Sequence, residues 1–296
     1  MAFTSLQEIL DTCEKDRIPF CEAVLQDDLN ERGVTREDSR KQMAALWQAM
    51  WDAAGSYKEN ERSRSGLVGG QGGIMEKYLA EHEPLSGAFA GQVIAGALKM
   101  GECNACMKRI VAAPTAGSSG VIPGTLCALQ EQYGFTDDEI CQALFNAAAI
   151  GYLITRNATT AGAEGGCQAE VGSASAMAAS AAVELFGGTP RQCMDAASFA
   201  MVNILGLVCD PIGGLVENPC QNRNAMGASN ALISAELSLA GVKSITPIDE
   251  TIGVMYAVGR SIPSELRETS LGGMAVAKSA CENCMACANK RNKMKK

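Results

Sequence analysis

Apolar residues recur every three or four positions along most of this 296-residue chain, which is the spacing of amphipathic helices. Thr35 and Thr136 each precede a long run of this kind, with an acidic residue, Asp38 or Glu139, three positions further on. A hydroxyl residue followed at this distance by an acidic one is typical of a helix start. The alternation of β-branched residues that marks strands is nearly absent. The pattern predicts an all-α protein with about ten helices.

Prolines and glycines mark several of the predicted helix ends. Thr189-Pro190 and Thr246-Pro247 each place a capping residue before a proline that suits the first helical turn. Gly187 and Gly241 follow apolar helical runs and predict C-terminal stops.

Four glycine-rich loops separate the predicted helices, at residues 63–73, 113–124, 159–167 and 210–219. None contains the phosphate-binding GxxxxGK[ST] pattern, and GLVGGQ does not follow a predicted strand, so no nucleotide-binding motif is predicted. Glycine is favoured where a backbone must turn sharply or approach a neighbour closely. We therefore expect the loops to converge on a ligand, although ordinary turn chemistry would explain any one of them.

Composition narrows the class of protein. Hydrophobic residues make up 47% of the chain and aromatic residues 5%, with 31 glycines, so we expect a sizeable core built from small side chains. A net charge of −8 argues against general nucleic-acid binding, which needs basic residues against phosphate. No apolar run reaches the roughly 18 residues of a membrane span, and the N-terminal stretch has no signal-peptide core. These features predict no membrane contact and a cytoplasmic location.

The chain contains thirteen cysteines, which we expect to be reduced because their number is odd and no secretion signal is present. Cys127 and Cys141 lie in apolar helical contexts and suit a plain core role. The predicted organisation is a helical lead-in over 1–60, packed on a catalytic body over 61–280, and a cysteine-rich basic tail over 281–296.

Two groupings of cysteines have a simple structural explanation. Cys281, Cys284 and Cys287 form a CxxCxxC run like the opening of a bacterial ferredoxin motif, but that motif also needs a fourth cysteine followed by proline. Cys103 and Cys106 form a CxxC pair in a helical segment with no second pair nearby, so a zinc or redox role is not favoured.

A third grouping, Cys167, Cys209 and Cys220, lies at the ends or edges of glycine-rich loops. Three thiolates from separate loops could hold three irons of a [4Fe–4S] cluster and leave the fourth iron open as a Lewis acid. Three buried structural cysteines would explain the same residues nearly as well.

Long motifs carry a family resemblance. The segments APTAGSSGVIPGTL, AEGGCQAEVGSASAMAA and LVCDPIGGLVENPCQNRNAMGASNA closely resemble the α chain of iron–sulfur-dependent L-serine dehydratase (L-serine ammonia-lyase). The likeness runs from SRSGLVGG to RETSLGGMAVA and so covers most of the chain.

The resemblance implies an all-helical catalytic domain that holds a [4Fe–4S] cluster through Cys167, Cys209 and Cys220. It implies elimination of water from L-serine to give pyruvate and ammonia, without pyridoxal phosphate. It also implies a hetero-oligomer with a separate β chain, because the β-type segment of the family is missing from this chain.

The resemblance also indicates where the substrate would bind. Its expected contacts come from the first two glycine-rich loops and from the residues around the cysteines, with Ser65, Ser119 and Asn157 as catalytic candidates; the binding candidates are Ser65, Gly66, Leu67, Thr115, Ser118, Ser119, Arg223 and Asn224. Ser and Thr also cap helices readily, and Asn157 could simply end its helix. Val68 stands where the family usually has Thr, so no hydroxyl is available there.

The base that removes the α-proton is harder to assign. The chain has one histidine, His82, ahead of a proline-containing turn, where a surface role is more common than a catalytic one. Cys281 lies where some family members end in a cysteine that enters the active site, and the β chain could also supply groups. A related hydro-lyase or desulfidase acting on another small amino or hydroxy acid is the nearest alternative function, and a ferredoxin-like electron carrier is a distant one.

Overall fold

A computed structural model of the chain describes residues 1–284, except for the side chain of Cys281. These residues form thirteen α-helices and no β-strand, so the all-α prediction is confirmed. The expected number of about ten helices is too low, because two short helices, α8 and α13, form in a glycine-rich loop and near residue 280.

The helices follow one another along the chain with short connections, and several of these connections contain a single turn of tighter or wider helix. The α-helices are α1 Leu6–Asp16, α2 Phe20–Arg32, α3 Arg36–Gly55, α4 Gln71–Glu81, α5 Ala88–Ala105, α6 Val121–Tyr133, α7 Asp137–Asn157, α8 Gly162–Gly165, α9 Ser173–Leu185, α10 Pro190–Val202, α11 Cys220–Leu239, α12 Ile248–Ser261 and α13 Lys278–Asn283. The short turns are 3₁₀ at Ala116–Ser118, Ile212–Gly214, Ser264–Leu266 and Gly273–Val276, and π-helical at Gln168–Gly172.

Three of the four predicted helix starts are confirmed. Thr35 accepts the N–H of Asp38, and Thr136 forms a reciprocal capping box with Glu139. Thr189 caps α10 in the same way, with Pro190 in the first turn. The prediction for Thr246 is wrong: α12 begins after Pro247, and no side chain caps its first turn.

The predicted stops at the C-terminal ends of α9 and α11 are confirmed. Gly187 and Gly241 both have a positive φ and follow the last helical turn. Their N–H groups donate to Glu184 and Ser238, which satisfies carbonyls that a helix end would otherwise leave unpaired.

The core is centred on α9, which packs against α6, α7, α10 and α11. Nearly every residue of this helix is buried, and most are Ala or Ser. Such small side chains let neighbouring backbones approach closely, which is how a chain poor in aromatic residues builds a dense interior.

Helices α1 to α3 contribute to the same apolar interior. Leu6, Ile9, Phe20 and Trp47 are almost fully buried and belong to one continuous cluster with the residues of α9. Within residues 1–284, no helix combines the length and the apolar character needed to cross a bilayer.

One close helix contact holds α8, and with it the loop that leads to Cys167. A Cβ added at Gly259 of α12 would come within 2.7 Å of the Cα of Gly165 and 2.9 Å of its carbonyl oxygen. Real side chains do not approach backbone this closely, so the contact needs a glycine.

We expect Gly259→Ala to lower the free energy of unfolding by about 1–3 kcal/mol, because the added methyl group overpacks this contact. Gly253 is the control: it is exposed on the same helix, and an added Cβ would meet nothing within 4 Å. Gly253→Ala should leave stability unchanged or raise it by up to about 1 kcal/mol. Thermal unfolding of both variants measures the difference, and equal midpoints would contradict the described crossing of α8 and α12.

Candidate active site

Cys167, Cys209 and Cys220 reach their positions from three different elements. Cys167 directly precedes the π-helical turn that leads into α9, and Cys220 is the first residue of α11. Cys209 lies in an extended segment whose backbone pairs with the segment around Arg267: its N–H donates to Leu266, and its carbonyl accepts from Glu268.

The three thiols share one buried environment. Cys167 and Cys209 are each 3% exposed, and Cys220 is partly buried. Burial raises the pKa of Cys167 to about 11 and that of Cys220 to about 12, and it raises the pKa of Cys209 further. Cys167 also raises the pKa of Cys209 and of Cys220, which indicates that it lies near both. Binding of a metal group here would have to displace their protons.

The donor set suits an iron–sulfur group. Three cysteine thiols from separate elements are the ligand type by which proteins hold iron–sulfur clusters.

Gly162 leaves the space into which one thiol fits. A Cβ at this position would lie 2.9 Å from the Sγ of Cys209 and 2.6 Å from Oε2 of Glu170. The Sγ of Cys209 donates to Oε2 of Glu170 over 3.6 Å. The glycine of the third loop therefore lets a sulfur and a carboxylate approach the same point.

Arg223 supplies positive charge beside the thiols. Its guanidinium forms an ion pair of 2.7 Å with Asp210 and donates to the carbonyl of Val208. It also lies within hydrogen-bonding reach of Cys167, whose pKa it lowers against the larger effect of burial. These bonds join α11 to the segment that carries Cys209, so Arg223 positions two of the cysteines.

Asn224 joins the second glycine-rich loop to the third cysteine. Its side chain accepts the N–H of Gly120 over 2.7 Å and donates to the carbonyls of Gly117 and Cys220 over 2.8 Å each. The residue is buried. Its polar atoms are thus used within the protein, which indicates a positioning role.

Glu217 joins the first loop to the cysteine loop. Its carboxylate accepts hydrogen bonds from the hydroxyls of Ser63, over 2.6 Å, and Ser65. Ser65 also accepts the N–H of Leu67 over 3.0 Å and is fully buried. The hydroxyl proton of Ser65 therefore holds two loops together in this structure.

The second loop contains one hydroxyl without a partner. Thr115 and Ser118 bond to each other over 3.1 Å and close the 3₁₀ turn between them. The Oγ of Ser119 is completely buried and has no hydrogen-bond partner among the described residues. A buried hydroxyl of this kind is rare in a folded protein.

The next three residues of the first loop differ in their exposure to solvent. Gly66 is exposed with a positive φ, and Leu67 packs against Ile212 and Cys284. Val68 is fully buried, and its N–H donates to the Oγ of Ser63. The valine therefore fills an apolar position, where it needs no hydroxyl.

Three other candidates lie elsewhere or beyond the described residues. The amide of Asn157 is exposed at the end of α7 and donates to the carbonyl of Thr4, so the structure joins it to the N-terminal segment. His82 is exposed and stacks on Tyr78. Cys281 belongs to α13, but its side chain lies outside the described residues, as does all of Cys287.

Sequence reasoning missed Glu170 and Glu217, which the structure places at the cysteines and at the first loop. Both stand inside quoted motifs, Glu170 three residues after Cys167 and Glu217 three residues before Cys220. An acidic residue so near a cysteine in a glycine-rich loop was the available signal.

Residues 15–275 match the model of the family described as "Serine dehydratase alpha chain". The chain belongs to this family. It is 43% identical to "Probable L-serine dehydratase, alpha chain" of Bacillus subtilis (strain 168), over 92% of this chain and 91% of that protein. It is 44% identical to "L-serine dehydratase, alpha chain" of Peptoniphilus asaccharolyticus, over 92% of this chain and 94% of that protein.

Another relative is longer than this chain. "L-serine dehydratase" of Mycobacterium bovis is 36% identical, over 93% of this chain but only 61% of that protein. The mycobacterial protein therefore contains additional sequence that this chain does not match. The resemblance inferred from the cysteine motifs is confirmed.

We expect Asn224→Ala to destabilise the protein, because each buried backbone group that loses its partner costs about 1–3 kcal/mol. Asn222→Ala is the matched control: Asn222 lies on the same turn of α11, is exposed, and its side chain forms no hydrogen bond within residues 1–284. Its replacement should change stability by less than about 0.5 kcal/mol. Urea unfolding of the cluster-free proteins measures both, and equal effects would show that Asn224 does not tie the two loops.

Proposed function

We propose that the chain is the catalytic α chain of an iron–sulfur-dependent L-serine dehydratase, which converts L-serine to pyruvate and ammonia. One observation carries the proposal: Cys167, Cys209 and Cys220 come from three separate elements and share one buried environment. Membership of the serine dehydratase alpha-chain family supports the reaction. We also propose a cytoplasmic location, which would keep the thirteen cysteines reduced.

A [4Fe–4S] cluster held by the three cysteines would supply an open iron as a Lewis acid for the β-hydroxyl of L-serine. The chain's own residues prepare its place. Arg223 offsets the negative charge of the thiolates, and its bond to Asp210 keeps α11 and the Cys209 segment in register. Glu217 holds the first loop against the cysteine loop, and Asn224 holds the second loop.

The unpartnered Oγ of Ser119 is the group of this chain best suited to contact the substrate. Thr115, Ser118, Gly66 and Leu67 would line the same side of the site. Ser65 would act as a positioning residue. Its hydroxyl donates to Glu217 and accepts the N–H of Leu67, which holds Leu67 in place.

Loss of the α-proton and of the β-hydroxyl releases an enamine, which tautomerises to an imine; hydrolysis of the imine gives pyruvate and ammonia. A base must accept the α-proton. The exposed His82 does not approach the cysteines within the described residues. We therefore assign this step to a separate β chain, with Cys281 as the alternative within this chain, and we propose a hetero-oligomer.

The names of the relatives support a separate β chain as the partner. Two of the similar proteins carry the words "alpha chain", and the longer mycobacterial protein contains sequence with no counterpart here. A related hydro-lyase or desulfidase would use the same three cysteines, so the choice of L-serine rests on the relatives.

We expect Cys167→Ala, Cys209→Ala and Cys220→Ala each to lower the iron and sulfide bound per chain after anaerobic purification, because each removes a cluster ligand. Pyruvate formation from L-serine, with the β chain co-expressed, should fall below detection. Cys127→Ala is the control, since Cys127 lies on α6 and lines a separate cleft of about 150 Å³. A Cys209→Ala protein that keeps its iron, together with a truncation at residue 280 that loses it, would move the cluster to the tail.

Exposure to air provides a second test. An iron without a protein ligand is readily lost on oxidation, so activity should decay during aeration and return after incubation with ferrous iron and sulfide under reducing conditions. Iron content and pyruvate formation should fall together. Full activity after prolonged aeration would exclude an open cluster.

A further inference from the structure

Glu170 is a carboxylate in an unusual place. It follows Cys167 by one turn, and its Oε2 accepts a hydrogen bond from the Cys209 thiol at 3.6 Å. Ideal Cβ atoms built on Gly117 and Gly162 would lie 3.3 Å from its Oε1 and 2.6 Å from its Oε2. Two glycines from two different loops therefore leave the space that this one carboxylate occupies.

No cation within residues 1–284 forms an ion pair with Glu170. Arg223 acts on this carboxylate but is paired with Asp210 instead. The hydroxyl of Thr115 also acts on Glu170, and the exposed Glu268 adds further negative charge. A partly buried carboxylate in these surroundings is unfavourable unless a positive group compensates it.

The one sulfur that donates to Glu170 cannot do so when it binds metal. A thiolate in a metal site has no proton to give. With the cysteines loaded, Oε2 of Glu170 would lose this donor, and the two adjacent glycines offer no side chain to replace it.

We propose that Glu170 binds the α-ammonium group of the substrate and so makes the site selective for a 3-hydroxy amino acid over the corresponding 3-hydroxy acid. An ammonium group brings three donors and a positive charge, and no cation within residues 1–284 is paired with this carboxylate. The inference rests on the proposed function and narrows its substrate class. The hydroxyl of Ser119 is neutral and does not distinguish the two kinds of acid, and the carboxylates of Asp210 and Glu217 are already bonded within the protein.

The test compares L-serine with 3-hydroxypropionate, which keeps the carboxylate and the hydroxyl but has no ammonium group. Glu170→Gln removes the charge and keeps the size of the side chain. In the cluster-loaded enzyme with its β chain, this variant should raise KM for L-serine by about 10- to 100-fold, the range for a hydrogen bond to a charged group. The inhibition constant of 3-hydroxypropionate should stay within about twofold.

Binding is also measured without turnover, from the change in the electron paramagnetic resonance spectrum of the reduced cluster on addition of each compound. Wild-type enzyme should respond to much lower concentrations of L-serine than of 3-hydroxypropionate, and the variant should respond to both alike. The control is Glu164→Gln, because Glu164 is exposed and accepts a hydrogen bond from Thr159; it should behave like wild type.

Three outcomes would overturn the inference. One is a Glu170→Gln protein that loses iron and sulfide, which would make Glu170 part of the cluster's own support. Another is a fall in kcat with unchanged KM, which would make it a group for the chemical step. The third is an equal response of the wild-type spectrum to the two compounds. Failure of the proposed function is a separate result: wild-type enzyme would form no pyruvate, while the spectra would still decide whether Glu170 recognises an ammonium group.

Discussion

The site depends on keeping three buried thiols together although they lie on elements that are distant along the chain. Buried thiols that lie close together repel one another once they lose their protons. Other bonds must therefore hold them in place. Four polar side chains do this: Glu217 for the first loop, Asn224 for the second, and the ion pair of Arg223 with Asp210 for the segment of Cys209. Each uses a buried polar atom that would be costly to leave unpaired.

The packing of the helices also helps to hold the three thiols together. A central helix of small residues allows α6, α7, α10 and α11 to pack closely on one axis. The loops at the ends of these helices are then brought to fixed positions, so a few hydrogen bonds suffice to set their geometry. Glycine at the crossing of α8 and α12 extends the same principle to the loop before Cys167.

Much of this fold follows from local pattern. Capping boxes at Thr136 and Thr189 join residues three positions apart, so the sequence alone identifies them. The positions of the cysteines in glycine-rich loops likewise indicated a shared site. The partners of Ser65 and Asn224 could not be found in this way. Ser65 meets Glu217 across 152 positions, and Asn224 meets Gly120 across 104. Nothing in the spacing distinguishes a hydroxyl that contacts a ligand from one that ties two loops.

The pairing of Cys209 with the segment around Arg267 links the site to the end of the described chain. Two backbone hydrogen bonds, to Leu266 and from Glu268, join this cysteine directly to the stretch that continues into α13. A rigid link of this kind transmits displacement. Any force on the C-terminal segment, from a docked protein or from the residues that follow it, would therefore reach the sulfur of Cys209 through its own main chain.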